Sequence, residues 1–258
     1  MIPKFCSLLI LFISLVFTAN AQVERIDTDR PDQTESPFLV SKNWLQLELG
    51  LNVQRLKSPE NEFLLPTSLI KYGISRRFEL RLITSIKRYR IFQSNGETAY
   101  ENGIEPLELG TKIALAEEKR WFPKTSLLFH VVFPTLASKN LKADKLAPNF
   151  RFSMQNTLTK KMALAYNLGA EWDGFNNEPG WVYSISPGFD LAENWYGYIE
   201  AFGVVSKIEA PQHNIDAGLA YYFNSNFKAD ISSGFGISRA APAWYLAIGA
   251  SWRINTRK

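Results

Sequence analysis

In residues 45–54 the odd positions are Leu45, Leu47, Leu49, Leu51 and Val53, and the even ones are Gln46, Glu48, Gly50, Asn52 and Gln54. Side chains alternate across a strand, so this stretch has one face for an apolar medium and one for water. The same parity recurs in about twelve segments, near residues 44–55, 63–75, 78–90, 105–116, 124–135, 147–157, 162–173, 180–191, 195–206, 213–223, 227–237 and 243–254. A tilted strand needs about 9–11 residues to cross a bilayer. No segment with helical periodicity interrupts the series. The pattern predicts an all-β chain: a transmembrane antiparallel up-and-down β-barrel of about 12 strands in a single domain.

The N-terminus fits export. Lys4, an apolar run over residues 5–17 and Ala19-Asn20-Ala21 make residues 1–21 a secretory signal peptide with a mature start at Gln22. Residues 22–43 then form a periplasmic segment, and residues 44–258 the outer-membrane barrel. The single cysteine, Cys6, falls inside the signal, so disulfides, thiol catalysis and cysteine–zinc sites are excluded from the mature chain. The formal charge of +4 falls to +3 without Lys4, and no Lys/Arg run stands out, which argues against nucleic acid as a partner. The expected surroundings are outer-membrane lipid.

Connections alternate in length. Residues 75–77, 159–161, 192–194 and 224–226 are short, and 117–123 is a longer member of that set. Polar stretches at 56–62, 91–104, 136–146, 174–179, 207–212 and 238–242 lie between them. Outer-membrane barrels have short periplasmic turns and longer outer loops, so the first strand runs outward and both termini return to the periplasm. All seven tryptophans sit at strand ends or in turns: Trp44, Trp121, Trp195 and Trp252 on the periplasmic side, Trp172, Trp181 and Trp244 on the outer side. Two aromatic belts at headgroup level are the mark of a membrane barrel; a soluble barrel would bury its tryptophans mid-strand.

Parity places Glu48, Lys71, Glu79, Arg81, Lys87, Glu108, Lys112, Arg151, Glu171, Asp190, Glu200, Asp216, Lys228, Asp230 and Arg253 in the lumen. A charge facing lipid near mid-bilayer costs roughly 2–4 kcal/mol, so energetics demand the same assignment. With the two signs nearly balanced, these charges either line a channel or pair across a narrow bore and close it. Mid-strand glycines, among them Gly50, Gly110, Gly169, Gly218, Gly234 and Gly249, either hold the lumen open or ease strand curvature.

Groups for catalysis are scarce. His130 and His213 lack the close serine or carboxylate partners of a catalytic or metal site, and His130 reads as a lumen hydrogen-bonding residue. Asp27, Asp29 and Asp32 are spaced like oxygen ligands, but Arg30 and Pro31 interrupt them and no glycine permits a calcium loop. No enzyme activity, metal or cofactor is expected.

The mature chain opens with Asp27-Thr28-Asp29-Arg30-Pro31-Asp32-Gln33-Thr34-Glu35-Ser36-Pro37, and later carries Ser75-Arg76-Arg77-Phe78-Glu79-Leu80-Arg81 and Pro106-Leu107-Glu108-Leu109-Gly110-Thr111-Lys112. These motifs resemble those of the outer-membrane transporter family named for the meta pathway of phenol degradation, and the resemblance spans essentially the whole mature chain. It implies a barrel in the outer membrane with a transport role. One departure is the C-terminus, which runs past Trp252 and Ile254 to Asn255-Thr256-Arg257-Lys258 instead of ending on an aromatic residue.

The expected function is a narrow channel or transporter for small solutes with a charged lumen. The alternative is a structural or partner-binding barrel whose lumen is closed. Residues 22–41, polar and holding Pro31 and Pro37, are expected to fold into the periplasmic mouth as a partial plug. Their charges, centred on Asp29, Arg30, Pro31 and Asp32, would meet Glu79, Arg81 and Arg253 just inside the short turns.

Overall fold

The computed structural model describes residues 25–57, 61–92 and 98–257; the signal-peptide reading therefore lies outside the described residues. Strands run β1 (Trp44–Arg55), β2 (Asn61–Gly73), β3 (Phe78–Phe92), β4 (Thr98–Ile104), β5 (Leu107–Ala116), β6 (Lys124–Phe133), β7 (Ala147–Thr159), β8 (Met162–Glu171), β9 (Gly180–Ala192), β10 (Trp195–Val205), β11 (Gln212–Asn224), β12 (Phe227–Gly236) and β13 (Trp244–Asn255). Every neighbour pair is antiparallel, and β1 pairs with both β2 and β13, which closes the sheet on itself. Closure leaves the wall itself without an edge strand; β4, which pairs with β3 alone, is the exception.

Thirteen segments fill twelve positions around the barrel. The inner part of β3 pairs with β5, from Phe78↔Ile113 to Ile83↔Glu108, and its outer part pairs with β4, from Ile86↔Ile104 to Phe92↔Thr98. Residues 91–104, read from sequence as an outer loop, thus carry the end of β3 and all of β4, a hairpin rising above the wall. The loop hid this because residues 98–104 lack the apolar parity of a lipid-facing strand. A second irregularity falls in β2, whose ladders to β1 and β3 both shift between Leu64 and Thr67. Pro66 has no N–H to give a ladder there.

The barrel is inside out. Among its largest fully buried side chains are Arg81, Lys71, Lys112, Gln46, Glu48, Glu79 and Glu200, whereas Leu168 is 57% exposed, Ile231 47% and Ile248 48%. Each strand alternates accordingly: in β12 Lys228, Asp230 and Ser232 are buried while Ile231, Ser233 and Phe235 are exposed. Burying charge and exposing leucine is favourable only if the outside is lipid. Trp121, Trp181, Trp195, Trp244 and Trp252 are all exposed at strand ends or in a turn. No helix among the described residues is long and apolar enough to cross a membrane; the crossing is made by strands.

Candidate functional site

Residues 25–41 do not lie below the barrel; they enter it. At one end Arg25 donates to the Glu193 carbonyl and Ile26 N–H to Ser225 O (2.8 Å), both in short turns. At the other end Lys42 bridges to Gly73 at the same mouth. Between these points the chain rises as a loop that makes no strand, so its backbone polar groups need other partners. The wall's side chains supply them. Asp29 N–H donates to Glu48 (3.1 Å), Gln33 N–H to Glu200 (2.8 Å), and Val40 N–H to Glu79 (2.6 Å). Asn167 meets Glu35 twice, accepting from its N–H at 2.7 Å and donating to its carbonyl at 2.9 Å. Carbonyls of Asp27, Arg30, Ser36 and Pro37 accept from Gln46, Lys228, Lys112 and Ser126. Pro31 and Pro37 lack the N–H that would need a partner in so confined a bore.

Asp29 is the centre of the loop's attachment. Its Oδ2 accepts from Lys71 Nζ (2.9 Å) and Arg81 Nη1 (2.8 Å), and its Oδ1 from Lys112 Nζ (2.9 Å) and Ser36 N–H (3.0 Å). Burial pushes this carboxyl up, but Lys112, Lys71 and Arg81 outweigh it and hold Asp29 well below the usual carboxylate range. The three cations are themselves shared. Lys71 also pairs with Glu48, and Arg81 with Glu79 (3.2 Å) and Glu35 (2.9 Å). Arg81 Nε donates to His130 Nε2 at 3.0 Å. Buried charge of both signs is tolerable because each group finds several partners.

Arg30 occupies a different place. Its guanidinium lies against Gly50 and Gly249, which face each other across β1 and β13 at mid-strand. A Cβ on Gly50 would stand 2.1 Å from Arg30 Nη1, and one on Gly249 2.4 Å from its Nε. These two glycines are therefore a seat for a planar cation, which the sequence reading had assigned only to bore width or curvature. Arg30 Nη2 donates to Asp230 Oδ1 at 3.1 Å. The Arg30–Pro31 peptide is cis. Asp32, at the tip, accepts from Ser186 at 3.4 Å, and burial, then the neighbouring Glu200, raise its carboxyl well above the ordinary range. Thr34 donates to Glu200 and accepts from Ser184 Oγ (2.7 Å).

The family described as "Putative MetA-pathway of phenol degradation" matches residues 28–254, a span that takes in most of the loop and nearly all of the barrel. The chain belongs to this family. No match was found among curated proteins. The fold is shared with an outer membrane channel from Pseudomonas putida F1, at a TM-score of 0.67 and 10% identity over 89% of this chain and 100% of that one. It is also similar to the KdgM porin, at 0.54 and 10% over 80% and 98%, and to the NanC porin, at 0.54 and 8% over 81% and 100%. At such identities the likeness is one of fold, that of outer-membrane β-barrels.

The remaining inward charges of this family member sit above, below and beside the loop. On the outer side, a cavity of about 200 Å³ is floored by Glu35 and walled by Glu108, Arg151 and Glu171. It adjoins one of about 540 Å³ that shares Ile83, Glu108 and Asn149 and includes Lys87 and Glu105. Arg151 pairs with Glu171 at 3.5 Å and donates to Gln33 O at 3.3 Å, and Lys87 pairs with Glu105 at 3.4 Å. At the inner mouth Asp190 faces Arg25 at 3.7 Å, while Arg253 donates to Asn226 (3.0 Å) and stacks over Trp44. Asp216 accepts from Tyr198 (3.2 Å) and Tyr245. Sequence reasoning reached Arg81 and Glu79 as partners of the loop. It did not reach Lys112, Asn167, Ser126, Ser153 or Ser184, which look like ordinary inward strand residues until register brings them to one level. Among the described residues no three of His, Asp and Glu converge as metal ligands.

Proposed function

We propose that the protein is an outer-membrane channel for small solutes whose lumen is shut by its own N-terminal loop, residues 25–41. The observation that carries this reading is the ion cluster around Asp29. One buried carboxylate gathers cations from β2, β3 and β5 into mid-bore, and the loop it belongs to fills the section where β1 and β13 present glycine. Charge-assisted hydrogen bonds contribute about 1.5–3 kcal/mol each where water is excluded. A loop held by that many of them stays docked most of the time and leaves rarely.

A purely structural barrel has no need of a removable loop, since paired wall charges alone would close a twelve-strand bore. Here several wall charges pair with the loop as well as with one another, and two adjoining cavities form a basin beside it. The KdgM porin, of similar fold, has been solved in complex with oligogalacturonate, which supports solute passage as a use for barrels of this build. The solute here is small by the size of the basin, and cleavage after residue 21 would free the loop to enter from the periplasm.

The test is planar-bilayer recording of a Thr34→Cys/Ser184→Cys protein. The two oxygens are 2.7 Å apart and the mature chain has no other cysteine. Brief openings that vanish on oxidation and return on reduction are expected. Identical records in both states would refute closure by the loop.

A further inference from the structure

The loop is not held equally on all sides. On the β2–β10 side its polar atoms and those of the wall satisfy one another, through Lys71, Arg81, Lys112, Asn167 and Glu200. Seven buried side-chain polar atoms among the described residues have no partner: Arg30 Nε, Asn52 Oδ1, Asn214 Oδ1, Asp216 Oδ1, Asp230 Oδ2, Ser232 Oγ and Ser251 Oγ. Apart from Arg30's own, all lie on β1, β11, β12 and β13. A buried acceptor left without a donor costs about 1–3 kcal/mol, more if charged, so docking on this side is the weaker half of the contact.

At mid-strand two rows of these four strands carry little side chain of their own, although the rings of Tyr198 and Tyr245 lean over Gly218 and Gly234. Register aligns Gly218, Ser232, Ala247 and Asn52 in one transverse row, and Ala220, Asp230, Gly249 and Gly50 in the next. Inward side chains in these rows are small, and Arg30 fills the space over Gly50 and Gly249. Withdrawing one guanidinium therefore opens a gap along this wall, whereas nothing comparable opens beside Lys112 or Arg81. The acceptor oxygens bordering the gap are carboxylates and amide or hydroxyl oxygens, and one layer further out Asp216 lies beside Glu200 in register.

On the reading that the barrel is a loop-gated channel, we infer that the passage opens along β11, β12, β13 and β1 when Arg30 leaves its glycine seat, and that Asp216 and Asp230 make this passage selective for cations. The orphaned oxygens are the groups that would replace part of the hydration shell of a potassium or sodium ion or of an organic ammonium. The inward cations of these strands are Lys228, whose ammonium is already engaged by the Arg30 carbonyl at 2.6 Å, and Arg253, which lies at the inner mouth against Asn226 and Trp44.

The test is reversal potential in a potassium chloride gradient, using the full-length mature protein in planar bilayers. Arg30→Ala should raise the open probability and give a potassium-to-chloride permeability ratio well above one. Arg30→Ala/Asp216→Asn and Arg30→Ala/Asp230→Asn should conduct equally often with a ratio that falls toward one. Gly249→Ala, whose methyl displaces the guanidinium from the other side, should reproduce Arg30→Ala and serves if that variant folds poorly. Anion preference in the opened variants, or a ratio untouched by both aspartate changes, overturns the inference while leaving a gated channel standing. Absence of openings in both Arg30→Ala and Gly249→Ala also overturns it, and the channel reading is then decided separately by removal of the whole loop.

Discussion

Asp29→Asn should undock the N-terminal loop without unfolding the barrel. The substitution keeps the shape of the side chain, removes its charge and turns one acceptor oxygen into an NH₂ group. Whichever way that amide faces, a donor then points at donors: Lys112 on the Oδ1 side, or Lys71 and Arg81 on the Oδ2 side. Breaking a buried ion pair by neutralising one partner costs about 3–5 kcal/mol. The three cations keep Glu48, Glu79, Glu35 and the Ser36 carbonyl, so the lower half of that range applies. At about 1.4 kcal/mol per tenfold, the docking equilibrium shifts by roughly a hundredfold to a thousandfold toward the released loop. The assay is limited proteolysis of protein in liposomes, read by mass spectrometry over residues 22–43. In the native protein the loop should resist cleavage; in Asp29→Asn it should be cut at a rate at least tens of times higher while the barrel stays intact by heat-modified gel mobility. Equal cleavage rates in both proteins would refute the electrostatic anchor.

Further outcomes follow from the same contacts. Gly50→Ala puts a methyl where Arg30 Nη1 now lies and 2.8 Å from Thr67 Oγ1, and should raise channel open probability at a modest cost in barrel stability as Thr67 gives way; unchanged recordings would mean that the guanidinium is not a stopper. Ile231→Arg, a charge placed on the lipid face of β12, should cost about 2–4 kcal/mol in urea unfolding from bilayers, whereas a soluble-facing surface would accept it without loss. Acidification from pH 8 toward the ordinary carboxylate range should favour the closed state: burial raises the carboxyls of Asp27, Asp32 and Glu35, so docking gains stability as pH falls through their raised pKa values, and the gain is complete only below their ordinary values near 4. The depressed carboxyl of Asp29 acts oppositely but only below about pH 4, outside that window; more openings at pH 5 than at pH 8 would contradict this.

The barrel was legible in the sequence because lipid imposes a rule on every second residue. Leu45 to Val53 must face out if Gln46 to Gln54 face in, and a slip of one residue would turn Glu48 to the membrane. What parity does not carry is height. It makes Lys71, Arg81 and Lys112 inward residues, but only the ladders Lys71↔Arg81 and Glu79↔Lys112 bring them around one carboxylate. Likewise Gly50 and Gly249 lie far apart in the chain and become one seat only when β13 pairs with β1. The β4 hairpin was missed for a related reason: above the membrane both faces are wet, so the alternation that marks a strand is gone.

Closure of the bore by the loop is tested most directly by removal of residues 25–41. The wall's ladders do not include these residues, so the shortened protein should insert and keep its heat-modified mobility. Single-channel recording at fixed salt should then show long, stable openings of larger conductance than the brief events of the intact protein. If the shortened barrel inserts and conducts no more than the intact one, the loop is not what closes this protein.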